Sequence, residues 1–397
     1  MKALLELHIL QNFAPSNLNR DDTGSPKDAI FGGYRRARIS SQSLKRAMRT
    51  HVREQNLLEP KHLADRTQRL VEAVSKRLEA KGRDVTQSQN VIQTALGGLG
   101  LKLEDGETQY LIFLGHGELD RIADIVHNHW DVLSSLVIES GDGKKKDAKK
   151  AAKDAVPDDV KKALGKAIHS RSEGGDAVDV ALFGRMLADL PVKNQDAACQ
   201  GAHALSTNKI EREFDFFTAV DDLKNQDENA DAGAGMLGTV EFNSACYYRY
   251  LVIDLEQLRH NLQGDVELVR RGLEAFLKAA IMSAPSGKQN TFAAHNPPSF
   301  IALTTRHDAS PRNLANAFEQ PAKPHFDEVN RQQLNLSQAS LKQLESHWKT
   351  LEAFYGQAGQ TLQWNGTGLN AELGEQTDSL EALVLSTVTR ALAALRS

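Results

Sequence analysis

Cysteine is nearly absent. Cys199 and Cys246 stand far apart among 397 residues, which excludes a disulfide framework and a thiolate zinc site. Long apolar runs are absent too; no stretch approaches the roughly 18 residues needed to span a bilayer. The opening MKALLELHIL is too short and too polar for a secretory signal, so the expectation is a cytoplasmic protein with no membrane partner. An excess of one charge sign is also missing. Lys+Arg total 48 and Asp+Glu 52, for a net charge of −4. That excludes a uniformly basic coat and leaves a locally basic one open. The rest of the composition, 25% charged and 40% hydrophobic, is that of an ordinary globular chain. It is long enough to bury a core, and at about 150 residues per domain it should form two or three units.

Enzyme signatures fail one by one. Ala284–Gln289 contains Gly287-Lys288, but Gln289 stands where a P-loop needs Ser or Thr, and Met282 where it needs its first Gly. His127 and His129 lie within an amphipathic helical pattern, where residues two apart do not share a face. No Ser-centred nucleophile elbow is present, and neither cysteine has an evident His partner. The pairs Asp21-Asp22, Asp158-Asp159 and Asp221-Asp222 are of the kind usually found as turn residues or helix caps. No cofactor is implied, and nothing requires catalysis.

Periodicity organises what is present. Residues 2–10 alternate, with Ala3, Leu5, Leu7 and Ile9 on one face and Lys2, Glu6 and His8 on the other, which predicts a half-buried strand. Residues 11–39 show no period and read as a long loop, a length that usually signals function or disorder. Ser40 or Ser41 can cap a helix to about Gln55. Helices are predicted near 60–81, 86–97 and 117–138, with a short strand near 109–114. After the lysine-rich stretch 140–154, a helix to about His169 and a strand at Val178–Phe183 are expected. Residues 224–238 are loop-like by composition. Val240, Phe242, Ser244, Cys246, Tyr248 and Tyr250 share one face of the clearest strand. A helix at 264–282, a strand at 299–304, a loop at 305–330 and helices over 336–355 and 378–396 complete the chain. The order predicts an α+β core with a helical insertion between about 55 and 175.

Charge clustering is the strongest functional signal. From Arg20 to Arg53 stand Arg20, Lys27, Arg35, Arg36, Arg38, Lys45, Arg46, Arg49 and Arg53 against Asp21, Asp22 and Asp28, a net +6. On a helical wheel, Leu44, Ala47, Met48 and Val52 form an apolar stripe, with Lys45, Arg46, Arg49 and Arg53 opposite. No acid stands at i±4 within that cationic face. Ser40, Ser41, Gln42 and the helix N-terminal amides add donors suited to phosphate. Residues 144–166 hold Lys144, Lys145, Lys146, Lys149, Lys150, Lys153, Lys161, Lys162 and Lys166 against four Asp, a net +5. Lysines of this kind suit sequence-blind contact with a phosphate backbone; a solvated helix on a mobile insertion explains them equally well.

The runs Asn19-Arg20-Asp21-Asp22, Lys27 to Gly33 (KDAIFGG) and Arg38 to Arg49 (RISSQSLKRAMR) resemble the N-terminal signature of the type I-E CRISPR Cascade backbone subunit, the CasC family. The similarity continues through Phe217–Leu223, Leu237–Thr239, Glu241-Phe242, Tyr248–Tyr250, Lys288-Gln289, Asn296-Pro297 and Ala315–Glu319, and so covers most of residues 3–320. Residues 56–175 and the C-terminal 70 or so match only in character.

The resemblance implies a right-hand shape. An RRM-like (ferredoxin-like) antiparallel palm would take 1–55, a strand at 176–184 and 241–397 with its C-terminal helices. Helical fingers would take 56–175 and a long thumb loop 185–240. It implies no enzyme, but a subunit that polymerises head to tail along a CRISPR RNA and presents it, beside other Cascade subunits, for pairing with a target DNA strand. A holder of variable guides must read backbone and shape, not base edges. Carried over by residue, the guide ligands are Arg20, Lys27, Ser40, Gln42, Lys45 and Arg49, with Lys288 in a Pro-Gly loop. Met186, Phe216 and Phe217 of the thumb would wedge against or stack on bases; ordinary core packing is the rival reading of these three. Lysines that touch duplex DNA would be Lys144, Lys145 and Lys149, or Lys161 and Lys162. Family members have a shorter loop where Asn225–Gly235 stands. Two rivals remain: a metal-dependent CRISPR-associated endoribonuclease using His8 or His51 as general base, and a polyanion-binding structural module unrelated to CRISPR.

Overall fold

The computed structural model describes residues 3–137, 154–169, 174–219, 236–357 and 359–396. Contacts divide the chain into two compact units. One is Met1–Glu54 with Gly201–Val252 and Glu274–Ser397; the other is Gln55–Gln200 with Ile253–Leu273.

The first unit is built on one large mixed sheet. Its strands include β1 (Ala3–Ser16), β2 (Asp28–Phe31), β3 (Tyr34–Ile39), β4 (Ala204–Ser206), β5 (Glu213–Ala219), β6 (Met236–Asp254), β7 (Phe300–His307), β8 (Gly359–Asn365) and β9 (Glu375–Gln376). The order across the sheet is β9-β8-β7-β1-β6-β4-β3-β2, with β5 paired to β6 off this path. β1 and β7 run antiparallel from Ala3↔His307 to Leu10↔Phe300, and β8 and β9 run parallel. The helices are α1 (Ser41–Glu54), α2 (Val266–Met282, of which only Glu274 onward falls in this unit), α3 (Leu336–Tyr355) and α4 (Leu380–Ala394).

β1 departs from its expected half-buried character. Every residue from Ala3 to Leu10 is buried. Leu4 and Leu10 pack under Leu341, Leu344 and Trp348 of α3, while α4 lies against β1, β7 and β8. Helices on both faces bury a strand's polar side as well, which an alternating pattern does not announce. Glu6 and His8 are tolerated there because they are partnered. Glu6 accepts from the Tyr250 hydroxyl at 2.6 Å, from Arg306 Nε and from the Arg312 amide at 2.5 Å. His8 Nδ1 is 2.8 Å from the Tyr248 hydroxyl.

The expected loop over 11–39 is half strand. β1 runs on to Ser16, and β2 and β3 form a hairpin with Phe31↔Tyr34 closing register. Gly32 and Gly33 make its two-residue turn at φ 59° and 81°, the geometry that favours glycine at both positions. A Cβ on Gly32 would also stand 2.2 Å from the Glu319 carbonyl oxygen.

The described residues of the second unit are mainly helical. Leu70–Glu79, Val85–Gly98, His116–Asn128, Trp130–Ser135 and Asp158–Ala167 share a core that includes Val74, Ile92, Ile122, Leu133 and Leu164. Ala64–Thr67 pairs with Ile112–Gly115, close to the predicted strand at 109–114. Val178–Phe183 is a helix, not the expected strand. Its apolar residues are buried, Val180 packing with Ala64, Phe113 and Ala177, and a six-residue apolar run of this kind has no period that separates strand from buried helix. This unit extends to Gln200, so of the segment expected as thumb 185–200 falls here, and the described residues 201–219 and 236–240 fall in the sheet unit. Asn225–Gly235 lies outside the described residues.

Candidate nucleic-acid interface

In the sheet unit, one asparagine joins the loop before β2 to the start of α1. The Asn19 carbonyl accepts the Lys27 amide at 2.8 Å, and its side-chain oxygen accepts the Ser40 amide at 2.9 Å. An isolated bridge pairs Arg20 with Pro26. Between them Asp21 Oδ1 accepts from the amides of Thr23 and Ser25, each at 3.0 Å, and from the Thr23 hydroxyl at 2.7 Å. The hydroxyl bond, ahead of a smaller opposing effect of burial, holds the Asp21 carboxyl below its ordinary value. Asp21 is therefore a turn residue, as the paired-acid reading expected.

α1 begins where the serines predict. The Ser40 hydroxyl accepts the Ser43 amide at 3.2 Å, and that bond leaves the hydroxyl proton to donate elsewhere. Leu44 and Met48 are buried, Gln42, Arg46 and Arg53 are exposed, and Lys45 and Arg49 are half-buried. The stem of Lys45 runs past Gly201, where an added Cβ would come 3.5 Å from Lys45 Cε and 2.8 Å from Leu251. Glycine at 201 thus leaves room for that stem. Lys288, at φ 50°, sits in a loop pressed against the same region: a Cβ on Gly287 would fall 2.3 Å from the Leu18 carbonyl oxygen.

The six predicted guide ligands and the Lys288 loop are therefore carried by adjoining pieces of one unit. Two residues that the sequence reading did not name as ligands join them. The Arg38 amide donates to the Lys27 carbonyl at 2.9 Å, its Nε donates to the Asp28 carbonyl at 3.1 Å, and its Nη1 lies 3.1 Å from His203 Nδ1. A guanidinium can only donate, so His203 Nδ1 accepts; burial, then Arg38, then Lys27 push the His203 pKa down. His203 is 165 residues from Arg38 and comes beside it only because β4 pairs with β3.

The sequence charge count overstates the surface. Arg36 is fully buried and donates to four backbone carbonyls. Arg35 pairs with Asp28. Burial works to raise the Asp28 pKa, but the bonds from Arg212 and Arg35 outweigh it and hold the carboxyl ionised. Arg212 joins Asp28 at 2.9 Å and Glu241 at 3.3 Å, which ties the root of the β5–β6 hairpin to the basic one.

That β5–β6 hairpin carries the predicted aromatics. Phe216 is 65% exposed, and Phe214, missed in the sequence, is 64% exposed on the same face. The alternation Phe214-Asp215-Phe216 was the signal for it. Phe217 differs. It stands opposite Gly238, and a Cβ on Gly238 would lie 2.3 Å from its ring, so the ring lies over the glycine. In the helical unit Met186 is 78% exposed. It is flanked by the buried Leu187 and by Arg185, which donates to both oxygens of buried Glu118 at 2.9 and 2.7 Å. Lys144, Lys145 and Lys149 lie outside the described residues. Lys161 and Lys162 lie on the helix Asp158–Ala167; Lys161 Nζ donates to the Asp154 carbonyl at 3.1 Å, and Lys162 is exposed.

The candidate general bases separate. His8 is fully buried; burial lowers its pKa to about 4, with a smaller opposing effect from Glu6. His51 instead lines an open cleft of about 450 Å³ with Arg46, Thr50, Glu54 and His295. Among the described residues no helix is long and apolar enough to cross a membrane.

These observations describe an α+β protein whose sheet unit carries a cationic surface and an aromatic hairpin. The chain belongs to the CT1975-like protein family, whose model matches residues 5–388. Two solved structures are similar over nearly the whole length. A chain of a CRISPR RNA-guided surveillance complex, pre-nicking, is 30% identical with a TM-score of 0.79, covering 98% of this chain and 100% of that one. A chain of a CRISPR RNA-guided surveillance complex is 24% identical with a TM-score of 0.69, covering 98% and 99%, and shows the fold alone. A comparison with curated proteins finds no match. The resemblance read from the N-terminal run is thus borne out as membership of a family with CRISPR surveillance-complex relatives.

Proposed function

We propose that this chain is a non-catalytic, CRISPR RNA-binding backbone subunit of a type I-E Cascade surveillance complex. The observation that carries the reading is the assembly of Arg20, Lys27, Lys45 and Arg49 on linked backbone segments, in a chain similar along its length to one from an RNA-guided surveillance complex. Charged and hydroxyl donors on fixed backbone suit a ribose-phosphate chain of any sequence. The sheet unit reads as an RRM-like palm because β1 and β6 lie side by side, flanked by β7 and β4. The β5–β6 hairpin reads as the thumb, with Phe214 and Phe216 to stack on bases or a neighbour. Copies add head to tail, other Cascade subunits join the assembly, target DNA pairs with the displayed guide, and the cytoplasm is the site of action. Lys161 and Lys162 are the described candidates for DNA contact.

The endoribonuclease reading loses His8, which is walled off by Tyr248, Tyr250 and Trp348, and now rests on His51. The test is binding of single-stranded RNAs of unrelated sequence, with the RNA recovered and sized afterwards. Equal affinity and intact RNA are expected. A strong sequence preference, or cleavage abolished by His51→Ala, contradicts the proposal.

A further inference from the structure

Among the described residues, Arg36 is a cation hydrogen-bonded to backbone carbonyls and to no carboxylate. Its side chain is 0% exposed. Nη1 donates to the carbonyls of Ser206 at 3.1 Å and Thr207 at 2.7 Å. Nη2 donates to those of Phe318 at 2.6 Å and Glu319 at 3.2 Å. The rings of Phe31 and Tyr34 each stand 5.8 Å from the guanidinium carbon. Burial lowers its pKa from the ordinary arginine value. Dehydrating a charge is costly, and an apolar residue of similar volume often serves stability as well or better. What arginine adds here is a fork of donors in fixed directions.

Those directions join three separate stretches of chain: the β2–β3 hairpin, the end of β4, and the turn Ala315–Phe318. The turn is anchored independently. The Arg312 amide donates to Glu6, the Leu314 amide donates to the Tyr248 hydroxyl at 3.1 Å, and Phe318 packs on Tyr248 at 5.5 Å between ring centroids. At the other end, Arg38 lies two residues along β3 from Arg36, on the same face. The Arg38 amide and Nε bind the carbonyls of Lys27 and Asp28. A continuous set of bonds thus runs from the buried Glu6 and Tyr248 through the turn and Arg36 to Lys27 and Arg38.

Resting on the reading of this surface as the guide-binding one, we propose that Arg36 is a positioning residue for RNA binding. It touches no RNA; it holds the β2–β3 hairpin against the anchored turn, and so sets where Lys27 and Arg38 meet the phosphate chain. The side chain is sealed among carbonyls, so it is not itself a phosphate ligand.

The experiment is a double-mutant cycle of Arg36→Met and Lys27→Ala, with hydrogen exchange on each purified full-length chain. Arg36→Met keeps an unbranched apolar stem and removes the four bonds; Arg36→Lys serves as a second variant should the first not fold. Faster exchange is expected at the Arg38 and Ile210 amides, which donate to Lys27 and Arg35 carbonyls, with β1 unchanged. RNA affinity should fall roughly tenfold, within the range for coupled neighbours, and Lys27→Ala should then cost clearly less than in the parent. A merely structural role would reduce the folded fraction and leave the Lys27 effect unaltered in the folded molecules. Unchanged hairpin exchange, or fully additive losses, overturns the positioning role. If the parent chain binds RNA without salt dependence, the functional reading fails, and the exchange result alone decides whether Arg36 positions the hairpin.

Discussion

His8 Nδ1 and the Tyr248 hydroxyl stand 2.8 Å apart in the interior, and that hydroxyl also accepts the Leu314 amide at 3.1 Å. The hydroxyl proton can therefore go to Nδ1, which places the ring proton on Nε2 of a neutral imidazole. The pair is structural, and its consequence is a dependence of stability on pH. The folded His8 pKa, about 4, lies below the unfolded value of about 6.5, so between them the unfolded chain binds the proton and the folded chain does not. Stability from this group is full above about pH 6.5 and is lost as pH falls towards 4, by roughly 3 kcal/mol in all. Urea titrations at pH 7.5, 6 and 5 should show that slope, and His8→Phe should flatten it. An unchanged slope in the variant would place the acid sensitivity elsewhere.

Lys45 and Arg49 sit on the half-buried shoulder of α1, between the buried Leu44 and Met48 and the exposed Arg46 and Arg53. Replacing both by Ala should weaken RNA binding and leave the fold intact. For a single strand each lost phosphate contact should reduce the slope of log K against log salt by about 0.7. Fluorescence titration across a salt series measures this. Weaker binding with the parent slope would mean that neither residue contacts phosphate.

Much of this was legible in the sequence. The α1 boundaries, the helical insertion, the long strand through Tyr248 and the basic cluster followed from capping residues, period and charge. The β2–β3 hairpin was also written there, in Gly32-Gly33 between two β-rich runs, but the dense charges of Arg35, Arg36 and Arg38 masked the alternation. What could not be read were relations set by distant pairing. Arg36 counts as a surface cation until β4 and the turn at Ala315–Phe318 close over it. His203 is an ordinary histidine until β4 brings it to Arg38. The buried polar face of β1 depends on α3, more than 300 residues away in the chain.

The Arg185–Glu118 pair, with side-chain exposures of 0% and 3%, supports the exposed Met186. Glu118→Ala should strand the guanidinium and destabilise the helical unit by about 3–5 kcal/mol. Thermal or urea unfolding tests this, and a change below about 1 kcal/mol would contradict it. Met186→Ala removes an exposed side chain and should change stability by less than about 0.5 kcal/mol.

Phe214 and Phe216 are exposed on the β5–β6 hairpin, so Phe214→Ser with Phe216→Ser should leave the melting temperature nearly unchanged. The same double variant should load less cooperatively onto guide RNA, because stacking surface is lost. Gly238→Ala should act on the same hairpin by forcing the Phe217 ring from its place. Near-UV circular dichroism would register the displaced ring; an unaltered spectrum with parental loading would remove Phe217 from the account.

In the proposed role, copies of this chain assemble along a guide. A head-to-tail contact is heterologous and can extend without closing, so the RNA sets the length of the assembly. Native mass measurement on guides of several spacer lengths tests this most directly. Weak self-association without RNA is expected, and particles whose mass rises in whole-subunit steps as the guide is lengthened. A particle mass independent of guide length would contradict it.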